Sequence, residues 1–177
     1  MKIDCFGSYG HTREIVVETK AEELDISFDD FQFSAPVNVK CLCNGEGELV
    51  RISAVVRTTL RVACSRCLVE YDEQIEGDFD LVVRKLKDGE VVRDSEATTD
   101  DDDDPQLVVV DSATNEVEIG SFVHDALILA LPIKPLCSED CRGLCSVCGV
   151  NLNESRCDCY DKNVDGRWKG LDNLFKK

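Results

Sequence analysis

An α+β fold is predicted, mainly antiparallel β with one principal helix and a C-terminal cysteine-rich zinc module. Three observations carry the prediction. Alternating or β-branched runs fill most of the first two-thirds of the chain. One segment after Gly120 repeats its apolar residues at helical spacing. Eight of the 11 cysteines fall into four tight pairs, and six of those eight lie beyond Leu136. A parallel sheet is disfavoured because strands do not alternate regularly with helices.

The elements follow in order. Ile15-Val16-Val17 begins a strand. Val37, Val39 and Cys41 alternate with Asn38, Lys40 and Leu42, the pattern of a strand with one buried face. Asn44-Gly45-Glu46-Gly47 is a turn signal. Residues 48–62 are rich in β-branched side chains and run directly into Cys64. Phe79, Leu81 and Val83 alternate with Asp80, Val82 and Arg84, and Lys87-Asp88-Gly89-Glu90 follows as a hairpin turn. Leu107–Val110 and Val117–Ile119 read as short strand pieces. Ser121 then caps a helix whose Phe122, Val123, Ala126, Leu127, Ala130 and Leu131 share one face. Pro132 stops it, and Pro135 keeps the next segment extended toward Cys137. His124 on this helix is assigned no role. Residues 165–175 form a last short helix, with Trp168, Leu171, Leu174 and Phe175 on one face, read as docking on the protein itself in preference to a partner.

A chain of 177 residues suggests one domain with a small appendage. The expected division is a β-rich acidic domain over 1–135 and a zinc module with the terminal helix over 136–177, packed on the first. Aromatics are only 6%, so aliphatic side chains must fill the core. Net charge is −16, which argues against binding nucleic acid over the whole surface. Residues 64–133 hold 5 basic and 19 acidic side chains, whereas 134–177 hold 8 and 7, so any nucleic-acid contact is expected in the tail. Seven of the eleven residues from Asp94 to Asp104 are acidic, which predicts a disordered loop. That loop lacks the glycine and spacing of a calcium hand. The start, MKIDCFGSYGHTR, lacks the apolar core of a secretory segment, and no apolar run approaches a membrane span. A cytoplasmic protein is expected.

The paired cysteines are Cys64 and Cys67, Cys137 and Cys141, Cys145 and Cys148, and Cys157 and Cys159. Eight thiols in four pairs suit two tetrahedral zinc sites, because thiolate sulfur is a good zinc ligand and a CxxC turn grips one ion from a single loop. Disulfides are disfavoured in a reducing cytosol. Iron–sulfur ligation and a redox CxxC stay open as lesser readings. Gly149 after Cys148 permits the positive φ of a zinc knuckle. Grouping Cys145, Cys148, Cys157 and Cys159 as a local site leaves Cys64, Cys67, Cys137 and Cys141 for a long-range one. A rival grouping puts one zinc on four of the six tail cysteines and leaves Cys64 and Cys67 free. Cys5, Cys41 and Cys43 read as small buried residues.

Taken together, Val62-Ala63-Cys64-Ser65-Arg66-Cys67-Leu68, Glu118-Ile119, Leu127 through Pro132, Pro135-Leu136-Cys137 and Cys141 through Gly149 resemble the YceD family, also called the large ribosomal RNA subunit accumulation family. Asn151-Leu152-Asn153, Cys157 and Cys159 continue the likeness, and Asp165-Gly166-Arg167-Trp168 is similar to its closing Asp-Pro-Arg-Trp, with Gly166 replacing proline. The resemblance implies a non-catalytic role in large-subunit ribosomal RNA accumulation. It also implies that the Cys145, Cys148, Cys157 and Cys159 group is optional, since some members lack that cluster.

The expected function is therefore a zinc-stabilised factor of ribosome biogenesis that holds large-subunit precursor RNA or a basic ribosomal protein. Arg142, Arg156, Lys162, Arg167, Trp168 and Lys169 are the candidate contact residues. No small-molecule substrate is expected. A four-thiolate zinc offers no open position to water, His11 and His124 sit in no catalytic pattern, and no phosphate loop or nucleophile elbow occurs. The alternatives are a thiol oxidoreductase built on Cys64 and Cys67, and an interaction adaptor without a ribosomal link.

Overall fold

The computed structural model describes residues 1–6, 12–24, 31–86 and 106–159. The turn expected at 87–90, the acidic stretch 94–104 and the helix expected at 165–175 lie outside the described residues. The chain divides into two compact units: Met1–Arg61 with Asp72–Pro132, and Val62–Tyr71 with Ile133–Lys177. The CSRC segment is thus grouped with the cysteine-rich tail.

The strands are β1 (Lys2–Asp4), β2 (Thr12–Thr19), β3 (Gln32–Phe33), β4 (Val37–Glu46), β5 (Leu49–Ala63), β6 (Glu70–Lys85), β7 (Gln106–Val110) and β8 (Glu116–Glu118). Among the described residues one α-helix, α1, spans Gly120–Ala130, and Ala21–Leu24 make a 3-10 turn. The large sheet runs β2-β4-β5-β6-β7, with β3 also on β5, while β1 and β8 form a two-stranded sheet. β2 with β4, β4 with β5 and β1 with β8 are antiparallel. Arg57 meets Glu76 and Arg61 meets Asp72 across β5 and β6, so four residues forward on one strand match four back on the other, an antiparallel register.

Among the described residues the fold is mainly antiparallel with one α-helix, and four details differ from expectation. β7 runs parallel to β6, Leu81 facing Gln106 and Lys85 facing Val110. β4 continues through Asn44 and Gly45, which pair with Arg51 and Val50, so the chain turns only at Gly47-Glu48. The last strand ends at Glu118, one residue earlier than its sequence suggested. Ser121 is inside the helix; Ile119 is the cap, because its carbonyl accepts the first helical N–H from Val123 at 3.1 Å. Ile119 is fully buried, and the Glu118 carboxylate accepts the Gly120 N–H at 3.0 Å, satisfying one free donor of the helix start from upstream.

Pro36 has no N–H to offer, and β3 is separated from β4 just before it. There Thr58, only 5% exposed, donates its hydroxyl to the Ala35 carbonyl at 3.1 Å. One face of the sheet is core: Val37, Val39, Val50, Ile52, Val56, Leu60, Leu81 and Val83 are buried. Cys41 and Cys43 share that face with full burial, and Cys5 is equally buried. Burial pushes the Cys5 thiol up to about 12, Cys41 up to about 11 and Cys43 upward, so all three pack as hydrophobes. Helix α1 adds Val123, Ala126 and Leu127 to the same core. It approaches β6 closely: a Cβ built on Gly77 would lie 2.4 Å from the Ala126 carbonyl oxygen, while the Phe79 and Phe122 rings sit 5.9 Å apart. Among the described residues, no helix is long and apolar enough to cross a membrane.

Candidate metal centres

The connection from β5 to β6 carries Cys64 and Cys67, and the segment after α1 carries Cys137 and Cys141. The structure brings these four sulfurs within 4.8 Å of one another, and separately does the same for Cys145, Cys148, Cys157 and Cys159. Cys64 Sγ lies 3.7 Å from Cys141 Sγ, and Cys67 Sγ lies 3.5 Å from Cys137 Sγ. A disulfide needs about 2.05 Å. A tetrahedron with metal–sulfur bonds of about 2.3 Å has edges of about 3.8 Å. All eleven cysteines are free thiols, and these two groups have the spacing to hold a metal ion each.

The two CxxC segments fold alike. The N–H of Leu68 donates to the Cys64 carbonyl at 2.9 Å, and that of Gly149 donates to the Cys145 carbonyl at 2.9 Å. The N–H of Cys64 meets the Val69 carbonyl as that of Cys145 meets Val150, both at 2.9 Å. The backbone N–H of Arg66 points at Cys64 Sγ at 3.5 Å, and that of Val147 at Cys145 Sγ at 3.4 Å. The shape requires a left-handed residue after the second cysteine: Gly149 has φ 74°, and Leu68 adopts φ 60° despite its side chain.

These N–H groups tune the sulfurs. Burial works against a charged Cys64, yet the N–H groups of Cys137, Cys67 and Arg66 outweigh it and bring the thiol down to about 6. The N–H groups of Cys148 and Val147 bring Cys145 to about 6. Asn153 lowers Cys141 by a side-chain hydrogen bond. Sulfur crowding has the opposite effect: the neighbouring Cys67 sulfur pushes Cys137 to about 12, and Cys148 pushes Cys159 to about 12. Four sulfurs at this spacing repel as anions, and a bound cation relieves that repulsion.

The first group is largely enclosed: Cys64, Cys67 and Cys141 are buried and packed by Tyr71, Leu136 and Leu144, while Cys137 is exposed. In the second group Cys148 is exposed and the other three are half-buried. Sequence reasoning missed Arg66 and Asn153. The Arg66 guanidinium donates to the Cys141 carbonyl at 2.8 Å and more weakly to the Glu139 carbonyl at 3.4 Å, tying the two halves of the first group together. Arg66→Ala is expected to destabilise this unit by about 1–2 kcal/mol, read as a lower urea midpoint at unchanged slope.

Of the expected contact residues, Arg142 and Arg156 are exposed. Lys162, Arg167, Trp168 and Lys169 lie outside the described residues.

A family model described as "Large ribosomal RNA subunit accumulation protein YceD" matches residues 52–175. The chain is 27% identical over 161 residues to the large ribosomal RNA subunit accumulation protein YCED homolog 1, chloroplastic, of Arabidopsis thaliana, covering 82% of this chain and 50% of that protein. The protein of the same description in Zea mays is 29% identical over 138 residues, 66% of this chain and 46% of that one. An uncharacterized protein of Mycobacterium leprae is 25% identical over 144 residues, 81% of this chain and 61% of its own. The chain spans about half the length of the plant relatives it matches. No solved structure matches it.

Proposed function

The chain belongs to the YceD family of large ribosomal RNA subunit accumulation proteins, and from that premise we propose that it is a non-catalytic, zinc-stabilised factor of large-subunit biogenesis that holds a basic ribosomal protein. The family assignment carries the ribosomal role. The partner follows from charge, because a chain of net charge −16 attracts cationic proteins and repels RNA except locally.

Zinc is the metal that best suits two four-sulfur groups with edges of 3.5 and 3.7 Å where measured in the first. Cys64, Cys67, Cys137 and Cys141 would hold one ion and Cys145, Cys148, Cys157 and Cys159 the other. Such ions supply folding energy and leave no open position for catalysis. A thiol oxidoreductase on Cys64 and Cys67 fits less well, since both sulfurs have third and fourth thiols as neighbours. An insulin-reduction assay separates that reading. A cytoplasmic setting belongs to the proposal, as reduced thiols are required; the plant relatives are themselves described as chloroplastic.

The test is a tagged pull-down from native lysate at near-physiological salt, followed by quantification of large-subunit proteins and of precursor against mature large-subunit RNA. The expected result is enrichment of basic large-subunit proteins that persists after nuclease treatment. Nuclease-sensitive recovery, with a salt slope reduced by neutralising Arg142 and Arg156, favours precursor RNA as the partner. Recovery of neither by a folded, zinc-loaded chain overturns the ribosomal role and favours a plain adaptor.

A further inference from the structure

Asn153 sits in the eight-residue loop between Cys148 and Cys157, yet its side chain reaches a sulfur of the other group. Its Nδ2 donates to Cys141 Sγ at 3.3 Å and to Asn151 Oδ1 at 2.9 Å. Its Oδ1 accepts the backbone N–H of Arg142 at 2.7 Å. All three contacts agree on the orientation of the amide. Turned over, it would set a carbonyl oxygen against a thiolate and against the Asn151 carbonyl, and an NH₂ against an N–H.

The amide is held by the hydrogen bonds of the loop that lies between the two cysteine pairs of the second group. Asn151 is bridged to Leu144, next to Cys145, and its Oδ1 accepts the N–H of Asn153 at 3.1 Å. The N–H of Leu152 donates to the Gly143 carbonyl at 2.9 Å. The N–H of Leu144 in turn donates to the Arg66 carbonyl at 3.0 Å, inside the first CxxC turn. Gly143 is needed there, for its φ is 75° and a Cβ would come within 3.0 Å of the same Arg66 oxygen. The loop closed by the second set of cysteines therefore presents one donor to the first set, and the backbone between them is hydrogen-bonded at each step.

We propose that Asn153 is a positioning residue that couples the two four-cysteine centres, so that filling the Cys145/Cys148/Cys157/Cys159 centre raises the zinc affinity of the Cys64/Cys67/Cys137/Cys141 centre. The inference rests on the zinc reading above. A donor to a metal-bound thiolate orients the sulfur and disperses its charge, and loss of such a partner typically lowers metal affinity about 10- to 100-fold. The linkage is reciprocal, so zinc at the first centre also favours the second.

Asn153→Asp is the discriminating variant, because it keeps the acceptor for Arg142 and replaces the donor facing sulfur by an oxygen. Zinc affinity is measured on the full chain by chelator competition, with each centre followed by protection of its exposed thiol, Cys137 or Cys148, from alkylation. The expected result is a loss of about tenfold or more at the first centre while the second is filled, and a similar loss at the second while the first is filled. Replacing Cys145, Cys148, Cys157 and Cys159 by serine should weaken the first centre similarly, and Asn153→Asp should add little in that background. Two bound zinc ions with no change at the first centre, or an Asn153→Asp loss that is undiminished in the four-serine background, overturn the coupling alone. A wild-type chain that binds no zinc overturns the metal reading and the coupling together.

Discussion

On the proposed zinc assignment, Cys64→Ser with Cys67→Ser is expected to lower bound zinc from two ions per chain to one. Half the ligands of the first centre are removed, and the remaining pair, Cys137 and Cys141, cannot close a tetrahedron. The unit comprising Val62–Tyr71 and the tail should lose stability on the order of several kcal/mol, since structural zinc contributes directly to folding. Arg66 and Leu144, which bind each other's segments through backbone groups, should lose protection from hydrogen exchange. Unchanged zinc content in the double variant would instead favour the rival grouping, with one ion on tail cysteines alone. Metal analysis by mass spectrometry decides between them.

Gly77→Ala is expected to destabilise the sheet-and-helix unit by roughly 3 kcal/mol and lower its Tm by about 10 °C. The added methyl would lie 2.4 Å from the Ala126 carbonyl oxygen and 2.9 Å from its carbonyl carbon. Both are backbone atoms of a helix, so no side-chain rotation relieves the clash; the helix must lift from β6. Phe79 and Phe122, packed one helical turn away, would separate with it. Ala126→Gly should therefore fail to rescue Gly77→Ala, because it removes only the 3.3 Å contact with the Ala126 methyl. Rescue to near the wild-type Tm would show that the approach is set by side chains. Thermal unfolding followed by circular dichroism reads the outcome.

Much of the fold is legible where one rule dominates. Val37, Val39 and Cys41 alternate with polar residues because that sheet has one buried face, and the strand follows. β5 is harder to read. Its burial alternates at every step, but Val55, Thr59 and Ala63 on the opposite face are apolar or β-branched, which blurs the sequence pattern. The parallel pairing of β7 with β6 leaves no local mark, since it depends on which strand the chain returns to. Ser121 looked like a cap because caps are read from residue type, whereas Glu118 reached the helix start from a strand. The cysteine groups follow from ligand type and spacing. Arg66 and Asn153 could not be read that way, as each acts through a carbonyl or one sulfur that only the folded chain brings near.

The separation of the first group's cysteines along the chain has a consequence in time. Cys67 precedes Cys137 by 70 residues, and Cys64 precedes Cys141 by 77. At a synthesis rate of about 5–20 residues per second, the early pair waits roughly 4–15 s for its partners. The second centre spans only Cys145 to Cys159, and its last ligand follows its first within about 1–3 s. Order of birth thus leaves the older thiols exposed longest to oxidants and stray metals during translation. On the zinc proposal, a cell short of zinc or under oxidative stress should lose newborn chains first at Cys64 and Cys67.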